Sequence, residues 1–229
     1  MKWALWLHAR HSVALTHSGL SWLPVLDYWW WRPGWRVGRR FYTWHITFES
    51  QDELHRLVRA YQAHLDIPEL DLVPLEGLHL TMQGVGFTDE VGQQDLQEIL
   101  VAARARCEPL APFPLTLGPA RVHPEGVNLP VAPEAPVRWL RMAVRDAIAA
   151  VWGEERVPEL AEDFSPHVTM AYSNGNGPAA PIIERVERVG ALQSVATIRE
   201  AQLIDLERDT HVYHWRTRAA VPLLAEAST

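Results

Sequence analysis

Two short stretches of the chain carry a histidine and a threonine two residues apart, and together they could perform acid–base chemistry. The first contains His79 and Thr81, and the second contains His167 and Thr169. Because successive side chains of a strand point to opposite faces, each histidine would stand beside its threonine while the residue between them enters a core. Two imidazoles that titrate near neutrality can serve as base and acid. The spacing predicts two half-sites that could close on one phosphate, with the hydroxyls as hydrogen-bond donors.

A third copy of the pattern, His45 and Thr47, lies on an earlier predicted strand. Its alternation turns both side chains away from the apolar face, so we expect them to line the cleft floor and bind substrate. Gln83 follows His79 at an even spacing, and we expect it to bind a sugar or a phosphate from the same face. The same alternation assigns Tyr172 to the core.

The motifs lie within an alternation of strands and helices. Ser50 resembles an N-cap with Glu53 three residues later, which predicts the start of the first helix. The order is not that of a doubly wound parallel sheet, and it favours an α+β fold with antiparallel sheets and outer helices. Periodicity predicts strands at 41–48, 70–73, 78–87, 113–122, 126–131, 167–173, 195–207 and 212–221, with helices at 51–65, 88–107, from about 136, and at 181–189.

The segments Leu78–Met82 and Pro166–Met170 resemble the paired motifs of the two-histidine (2H) phosphoesterase superfamily. Its bacterial members are called 2′-5′ RNA ligase-like proteins or RNA 2′,3′-cyclic phosphodiesterases. The resemblance extends from about Phe41 to the C-terminus. It implies two pseudo-symmetric lobes of antiparallel sheet with outer helices, each of which offers one His-x-Thr strand to a central cleft.

The resemblance also implies an activity, in which His79, Thr81, His167 and Thr169 are the catalytic residues. We expect metal-independent hydrolysis of a 2′,3′-cyclic phosphate at an RNA or nucleotide end, and reverse 2′-5′ ligation when a 5′-hydroxyl replaces water. Three alternatives stay open. The substrate could be a 2′-5′ oligonucleotide or an ADP-ribose cyclic phosphate, or the chain could be an inactive module that binds nucleotides or RNA ends.

A metal site built from His45, His79 and His167 is a competing interpretation. No helix-borne histidine pair and no carboxylate at ligand spacing supports it. We therefore expect no metal and no other cofactor.

The source of positive charge for a phosphate is an open point in the sequence. The 2H family often carries a basic residue just before the second motif, where this chain has Ser165. Arg121 or the arginines between Arg36 and Arg40 are the candidates to supply the charge.

Composition excludes several classes of protein. The formal net charge is −7, and the pI is near 5.9. Binding to long duplex nucleic acid needs a basic surface, so we expect a small nucleotide or an RNA end as partner. Cys107 is the single cysteine of the sequence, which fits a reducing compartment and predicts a cytoplasmic location. Histidines and an arginine interrupt the apolar start of the chain, so we expect no membrane span, and we expect a monomer.

The sequence predicts two parts, a Trp-rich extension at 1–40 and a bilobal domain at 41–229. One interpretation of the extension is that its indoles pack on a lobe, because aromatic side chains carry large apolar areas. The other is that Tyr28–Trp35, together with Arg32 and Arg36, forms a flap that stacks on a base. Composition does not separate the two.

Overall fold

The protein is described by a computed structural model, which covers residues 24–226. Its strands form two larger antiparallel sheets and one two-stranded ribbon. The strands are β1 Pro24–Val25, β2 Phe41–Thr47, β3 Leu70–Leu72, β4 His79–Phe87, β5 Phe113–Leu117, β6 Arg121–His123, β7 Gly126–Ala132, β8 His167–Ser173, β9 Gly177–Pro178, β10 Ser194–Ile198, β11 Glu200–Glu207 and β12 His214–Pro222. The helices are α1 Asp52–Leu65, α2 Gln93–Cys107, α3 Glu134–Trp152 and α4 Ala180–Val189.

The first lobe is a four-stranded sheet in the order β12-β11-β2-β4, covered by α2 and α3. Strand β2 alternates as the sequence predicts, with Trp44 and Ile46 buried in the core beneath the helices. The motif strand β4 is the edge of this sheet, so one of its sides is available to the other lobe.

The second lobe is built from β10-β5-β7-β8-β3, with β6 paired to β7. Helices α1 and α4 cover it. The buried residues of α1 recur at helical spacing and give the helix one apolar side: Leu54, Leu57, Val58, Tyr61 and Leu65. Strand β8 packs against β4, which joins the two sheets. The predicted α+β fold with two antiparallel lobes and outer helices is confirmed, and the His-x-Thr strands lie where the lobes meet.

Two of the predicted strand assignments are wrong. The predicted strand at 195–207 divides at Arg199, because β10 pairs with β5 in the second lobe while β11 pairs with β2 in the first. The predicted strand at 113–122 also divides. Its last residues form the hairpin β6-β7, whereas β5 pairs with β10 and with the far end of β7. Apolar alternation shows that a segment is extended but not which sheet it joins.

The predicted helix starts are wrong in three places. Helix α1 begins after Gln51, with no side-chain hydrogen bond at the cap, so Ser50 is not its N-cap. Helix α2 begins only at Gln93, because residues 88–92 form turns on the carbonyl of Phe87. Helix α3 begins at Glu134, two residues before Pro136.

Strand β7 passes so close to β8 at Gly126 that only glycine fits. A Cβ there would lie 2.1 Å from the carbonyl oxygen of Ala171, and the backbone φ is +153°. We predict that Gly126→Ala lowers the free energy of unfolding by at least about 2 kcal/mol. Urea denaturation measures this loss. Gly175→Ala is the matched control, since no atom lies within 4 Å of its Cβ position, and it should stay within about 0.5 kcal/mol of the parent protein. Equal midpoints for the two variants would contradict the prediction.

Candidate active site

The two motif histidines make the same hydrogen bond to the backbone. The Nδ1 atom of His79 lies 2.8 Å from the carbonyl oxygen of Gly77, and Nδ1 of His167 lies 2.8 Å from the carbonyl oxygen of Ser165. A carbonyl oxygen can only accept, so Nδ1 carries the proton in each neutral ring. The lone pair is therefore on Nε2 of both histidines, which is the atom that can exchange a proton with a substrate.

Each motif strand carries a β-bulge at the methionine that follows its threonine. In β4, Thr81 pairs with His45 and Gln83 pairs with Trp44, so Met82 is the extra residue. In β8, Thr169 pairs with Asn128 and Ala171 pairs with Val127, so Met170 is the extra residue. A bulge reverses the alternation of the residues beyond it. Gln83 and Tyr172, which follow the two methionines, therefore lie on the face opposite to the one that simple alternation predicts.

The bulge makes the prediction for Gln83 wrong. Its partner Trp44 is opposite in alternation to His45, so Gln83 does not share the face of His79. The side chain is fully buried. Its amide nitrogen donates to the carbonyl of Pro158 at 2.6 Å, and its amide oxygen accepts from Arg145 at 2.8 Å. Gln83 thus holds the loop that leads to the second motif, and it has no contact with the cleft.

Side chains of the outer helices donate to the carbonyls of the two bulged methionines. Arg141 of α3 donates Nε to the carbonyl of Met82 at 2.8 Å, and it also donates to the carbonyls of Leu160 and Ala161. In the other lobe, Gln62 of α1 donates to the carbonyl of Met170 at 3.0 Å. A polar side chain from an outer helix thus bonds to each bulge. The carbonyl of Met170 also accepts from the backbone N–H of Val73 at 3.0 Å.

Tyr172 is buried in the core, as the sequence predicts, but the second bulge changes the face of the strand on which it lies. Tyr172 lies on the cleft side and stacks on Tyr28, with ring centroids 4.1 Å apart and planes inclined by 18°. Its hydroxyl hydrogen bonds to Thr169 and Tyr28, and burial raises its pKa above the ordinary value of tyrosine. Tyr28 in turn bonds the hydroxyl of Tyr213 at 2.6 Å. Thr169 is thus held by a chain of tyrosines.

An aromatic wall stands beside His79. Tyr213 and Trp215 meet its ring edge-on, with centroids 5.6 and 5.5 Å away. A pocket opens next to His79 and is lined by Tyr172, Tyr213 and residues 72–74. Sequence reasoning missed Tyr213 and Trp215, because they come from the far end of the chain and no motif marks them. Two aromatic residues at alternate positions, 213 and 215, were the one available signal.

Burial lowers the pKa of both motif histidines, and the charge of His167 lowers that of His79 further. Burial, opposed by the bond to Gly77 and reinforced by His167, lowers the pKa of His79 to about 4. Burial also lowers the pKa of His167, and the bond to Ser165 opposes it. Because the charge of His167 acts on His79, the two imidazoles occupy one electrostatic environment. His79 is therefore neutral at pH 7.

His45 lies beneath this layer and is only 1% exposed. Its ring is parallel to that of His79 at 4.5 Å, with an interplanar angle of 3°. Its Nε2 atom lies 3.2 Å from Oγ1 of Thr81. Thr47 pairs with His79 and is half-buried on the same face. His45 pairs with Thr81 and shares its face, but it is buried, so a direct contact with substrate stays a prediction.

The second lobe adds polar groups to the cleft face. Arg121 pairs with Asn128, which pairs with Thr169, so all three side chains lie on one side of the sheet. Arg121 is exposed, and none of the carboxylates in residues 24–226 forms an ion pair with it. His123 lies close enough to His167 that the charge of His167, after burial, lowers the pKa of His123 to about 4.

The other candidates for positive charge are already paired with carboxylates. Arg36 contacts Asp89 at 3.4 Å, and Arg39 contacts Asp89 and Glu90. Arg40 is held by Asp205 and Glu207 in the same way. Arg121 is therefore the better placed of the two sources that the sequence offered.

Residues 24–40 of the Trp-rich segment pack against the second lobe and the edge of the first. Tyr28 and Trp29 are buried, and Trp29 stacks on His211 at 5.3 Å. Trp30 is 51% exposed and Trp31 is 48% exposed, so this segment has both packed and accessible indoles. The tryptophans before residue 24 lie outside the described part of the chain. The division into 1–40 and 41–229 stays a prediction.

Within residues 24–226, no three His, Cys, Asp or Glu side chains are grouped as a metal ion requires. None of the helices in the same range is both long enough and apolar enough to cross a bilayer.

Comparison with known proteins agrees with this geometry. The model of the 2′-5′ RNA ligase superfamily matches residues 49–210, a span that contains both motif strands. The chain belongs to this superfamily of 2H phosphoesterases. No curated protein matches the sequence.

Solved structures of the superfamily share the fold. TT0787 of Thermus thermophilus is 22% identical, with a TM-score of 0.62 over 82% of this chain and 100% of its own. LigT of E. coli, solved with phosphate, is 16% identical, with a TM-score of 0.56 over 81% of this chain and 98% of its own. LigT solved with 3′-AMP is 14% identical, with a TM-score of 0.57 over the same shares of the two chains. At these identities the likeness shows the fold.

The low pKa of His79 makes stability depend on pH. An unfolded histidine titrates near pH 6.5, whereas folded His79 titrates near 4. Between these values the unfolded chain binds more protons, so stability is present above pH 6.5 and is lost as pH falls towards 4. His79→Gln should reduce the slope of the unfolding free energy over this range by up to about 1.4 kcal/mol per pH unit.

Urea denaturation at several pH values measures this slope. His64→Gln, at an exposed position outside the cleft, should keep the slope of the parent protein. Parallel curves for His79→Gln and the parent would show that His79 does not take up the proton.

Proposed function

We propose that the chain is a metal-independent phosphodiesterase that hydrolyses a 2′,3′-cyclic phosphate at a nucleotide or RNA end. The observation that carries the proposal is the repeated construction of the two half-sites. Each has a His-x-Thr-Met strand, a bulge at the methionine and an imidazole tied through Nδ1 to a carbonyl. Two fixed Nε2 atoms in one electrostatic environment are what an acid–base pair across a phosphate requires.

The reaction divides between the two imidazoles. One neutral Nε2 takes a proton from water as its oxygen attacks phosphorus. The other, protonated at Nε2, gives its proton to the ribose oxygen as the bond from that oxygen to phosphorus breaks. One water is consumed, and a ribose hydroxyl and a phosphate monoester are formed. Each proton transfer can contribute about 10²- to 10⁴-fold to the rate.

Hydroxyls and one arginine complete the site. Thr81 and Thr169 stand two residues after each histidine on the same faces and can donate to the non-bridging oxygens, where charge develops. Arg121 is on the face of Thr169 and can reach an anionic substrate from the rim of the cleft. This use of Arg121 supplies the positive charge that is absent at Ser165.

The net charge of the protein and the ligands of its solved relatives both favour a small ligand. LigT of E. coli has been solved with phosphate, 3′-AMP and ATP. The net charge of −7 disfavours long duplexes, and the pocket next to His79 has aromatic sides. We propose that the protein acts in the cytoplasm and that it is a monomer. With a 5′-hydroxyl in place of water, the same proton transfers would form a 2′-5′ bond.

A substrate panel with two histidine variants tests the proposal. The panel holds 2′,3′-cyclic nucleotides, RNAs with cyclic-phosphate ends, 2′-5′ oligonucleotides and ADP-ribose cyclic phosphate. We expect the cyclic nucleotides or RNA ends to be cleaved, and His79→Ala or His167→Ala to lose about 10³-fold in kcat. His64→Ala is the control and should be fully active. Chelator in excess should change nothing.

Other outcomes of this panel would overturn the proposal. Turnover of only the 2′-5′ oligonucleotides or ADP-ribose cyclic phosphate would keep the chemistry and replace the substrate. Binding without turnover would identify an inactive binding module. Activity in His79→Ala/His167→Ala equal to the parent would remove the mechanism.

The pH profile should lie on the acid side of neutrality. The active free enzyme carries one proton on the histidine pair, and burial lowers the pKa of both, that of His79 to about 4. The value of kcat/KM should therefore rise as pH falls from 7 and peak below about 6.5. An anionic phosphate in the cleft stabilises the imidazolium, so kcat should peak at a higher pH than kcat/KM. Steady-state kinetics from pH 4 to 9 measure both, and a kcat/KM peak above pH 7.5 would contradict the assignment.

A further inference from the structure

We propose that His45 is a positioning residue, which donates from Nε2 to Oγ1 of Thr81 and so directs the hydroxyl proton of Thr81 into the cleft. Its catalytic consequence rests on the proposed function, whereas the proton position on His45 does not. His45 precedes the segment matched by the family model, which begins at residue 49.

The surroundings of His45 restrict what it can do. The side chain is 1% exposed and covered on one side by the parallel ring of His79. Trp215 stands edge-on to it with centroids 6.1 Å apart. The hydrogen-bond partner of its ring is Oγ1 of Thr81, 3.2 Å from Nε2. Its Nδ1 atom is buried and has no hydrogen-bond partner among the described residues. A substrate in the cleft therefore meets Thr81 and His79 before it meets His45.

The unpartnered nitrogen decides the tautomer. A proton on Nδ1 would be a buried donor with no acceptor, which folded proteins rarely tolerate. A lone pair on Nδ1 costs less, because an unsatisfied acceptor is the commoner exception. Protonation of both nitrogens would place a charge in this buried site, against the ring of His79. The favoured state is the neutral ring with its proton on Nε2.

The tautomer fixes the direction of the Thr81 hydroxyl. If Nε2 of His45 donates, Oγ1 of Thr81 accepts, and its own proton must point elsewhere. The side chain of Thr81 is half-buried. A phosphoryl oxygen bound in the cleft can accept that proton. His45 thus removes the competing orientation, in which Thr81 would donate backwards to the imidazole. A donor set in advance needs no reorganisation when charge develops.

The second lobe holds its threonine with different residues. The position that corresponds to His45 is Asn128, which pairs with Thr169 as His45 pairs with Thr81. There the hydroxyl of Tyr172 hydrogen bonds to the threonine. Both threonines are therefore held by a second side chain, and the two half-sites differ in which residue does it.

The proton position is measured directly by NMR on the full chain. Long-range ¹H–¹⁵N correlation of the imidazoles at pH 7 distinguishes the two neutral tautomers. We expect the proton on Nε2 in His45 and on Nδ1 in His79 and His167. A proton on Nδ1 of His45 would overturn the proposal. The measurement needs no substrate, so it stands even if the proposed activity is wrong.

Two substitutions distinguish the effect of the N–H donor of His45 from the effect of its aromatic ring. His45→Phe keeps a flat ring against His79 and removes the N–H group, while His45→Gln places an amide N–H near the position of Nε2. With the cyclic-phosphate substrate that the panel identifies, His45→Phe should lose about 10-fold or more in kcat with KM within about 2-fold. His45→Gln should retain most of kcat. His64→Phe is the control for a surface change.

A double variant tests whether His45 acts through Thr81. Thr81→Val removes the hydroxyl, and His45→Phe/Thr81→Val should be no slower than Thr81→Val alone. Losses that multiply, or full activity in His45→Phe, would overturn the proposal. If the parent protein shows no turnover, the proposed function fails and the NMR result alone decides the role of His45.

Discussion

A β-bulge at the methionine of each motif strand governs the geometry of the cleft. Met82 and Met170 interrupt the pairing of β4 and β8 just after the threonines. The interruption changes which strand residues face the cleft. A side chain of an outer helix donates to the carbonyl of each methionine. The construction occurs once in each lobe. The two half-sites are thus alike because two strands bend in the same way, at the same step of the motif.

Several buried imidazoles lie close together in the cleft, and this determines their pKa values. Burial lowers the pKa of His45, His79, His123 and His167, and the last of these lowers the pKa of two others. A proton is therefore costly in the empty cleft and becomes favourable when an anion enters. Under the proposed function, the histidine that acts as the acid would gain its proton when the anionic substrate binds.

Strand alternation and the doubled motif were enough to predict the faces of His79, Thr81, His167 and Thr169, as well as the α+β architecture. They failed wherever geometry departed from regular repetition. Gln83 and Tyr172 exchanged faces because a bulge leaves no mark in composition. The division at Arg199 was missed because the alternation of the two strands runs on while the sheet changes. The aromatic wall was missed because Tyr213 and Trp215 meet the motif only through the fold.

The loop that leads into the second motif is fastened to the strand that bears the first. Arg141 donates hydrogen bonds to the carbonyls of Met82, Leu160 and Ala161, and Gln83 donates one to the carbonyl of Pro158. Separation of the lobes would break these bonds inside the protein, at about 1 kcal/mol each or more. The gap between the imidazoles thus has a set width before any ligand arrives. The protein would then discriminate among ligands by how well each one fits between the imidazoles, and no closure of the two lobes around the ligand would be needed.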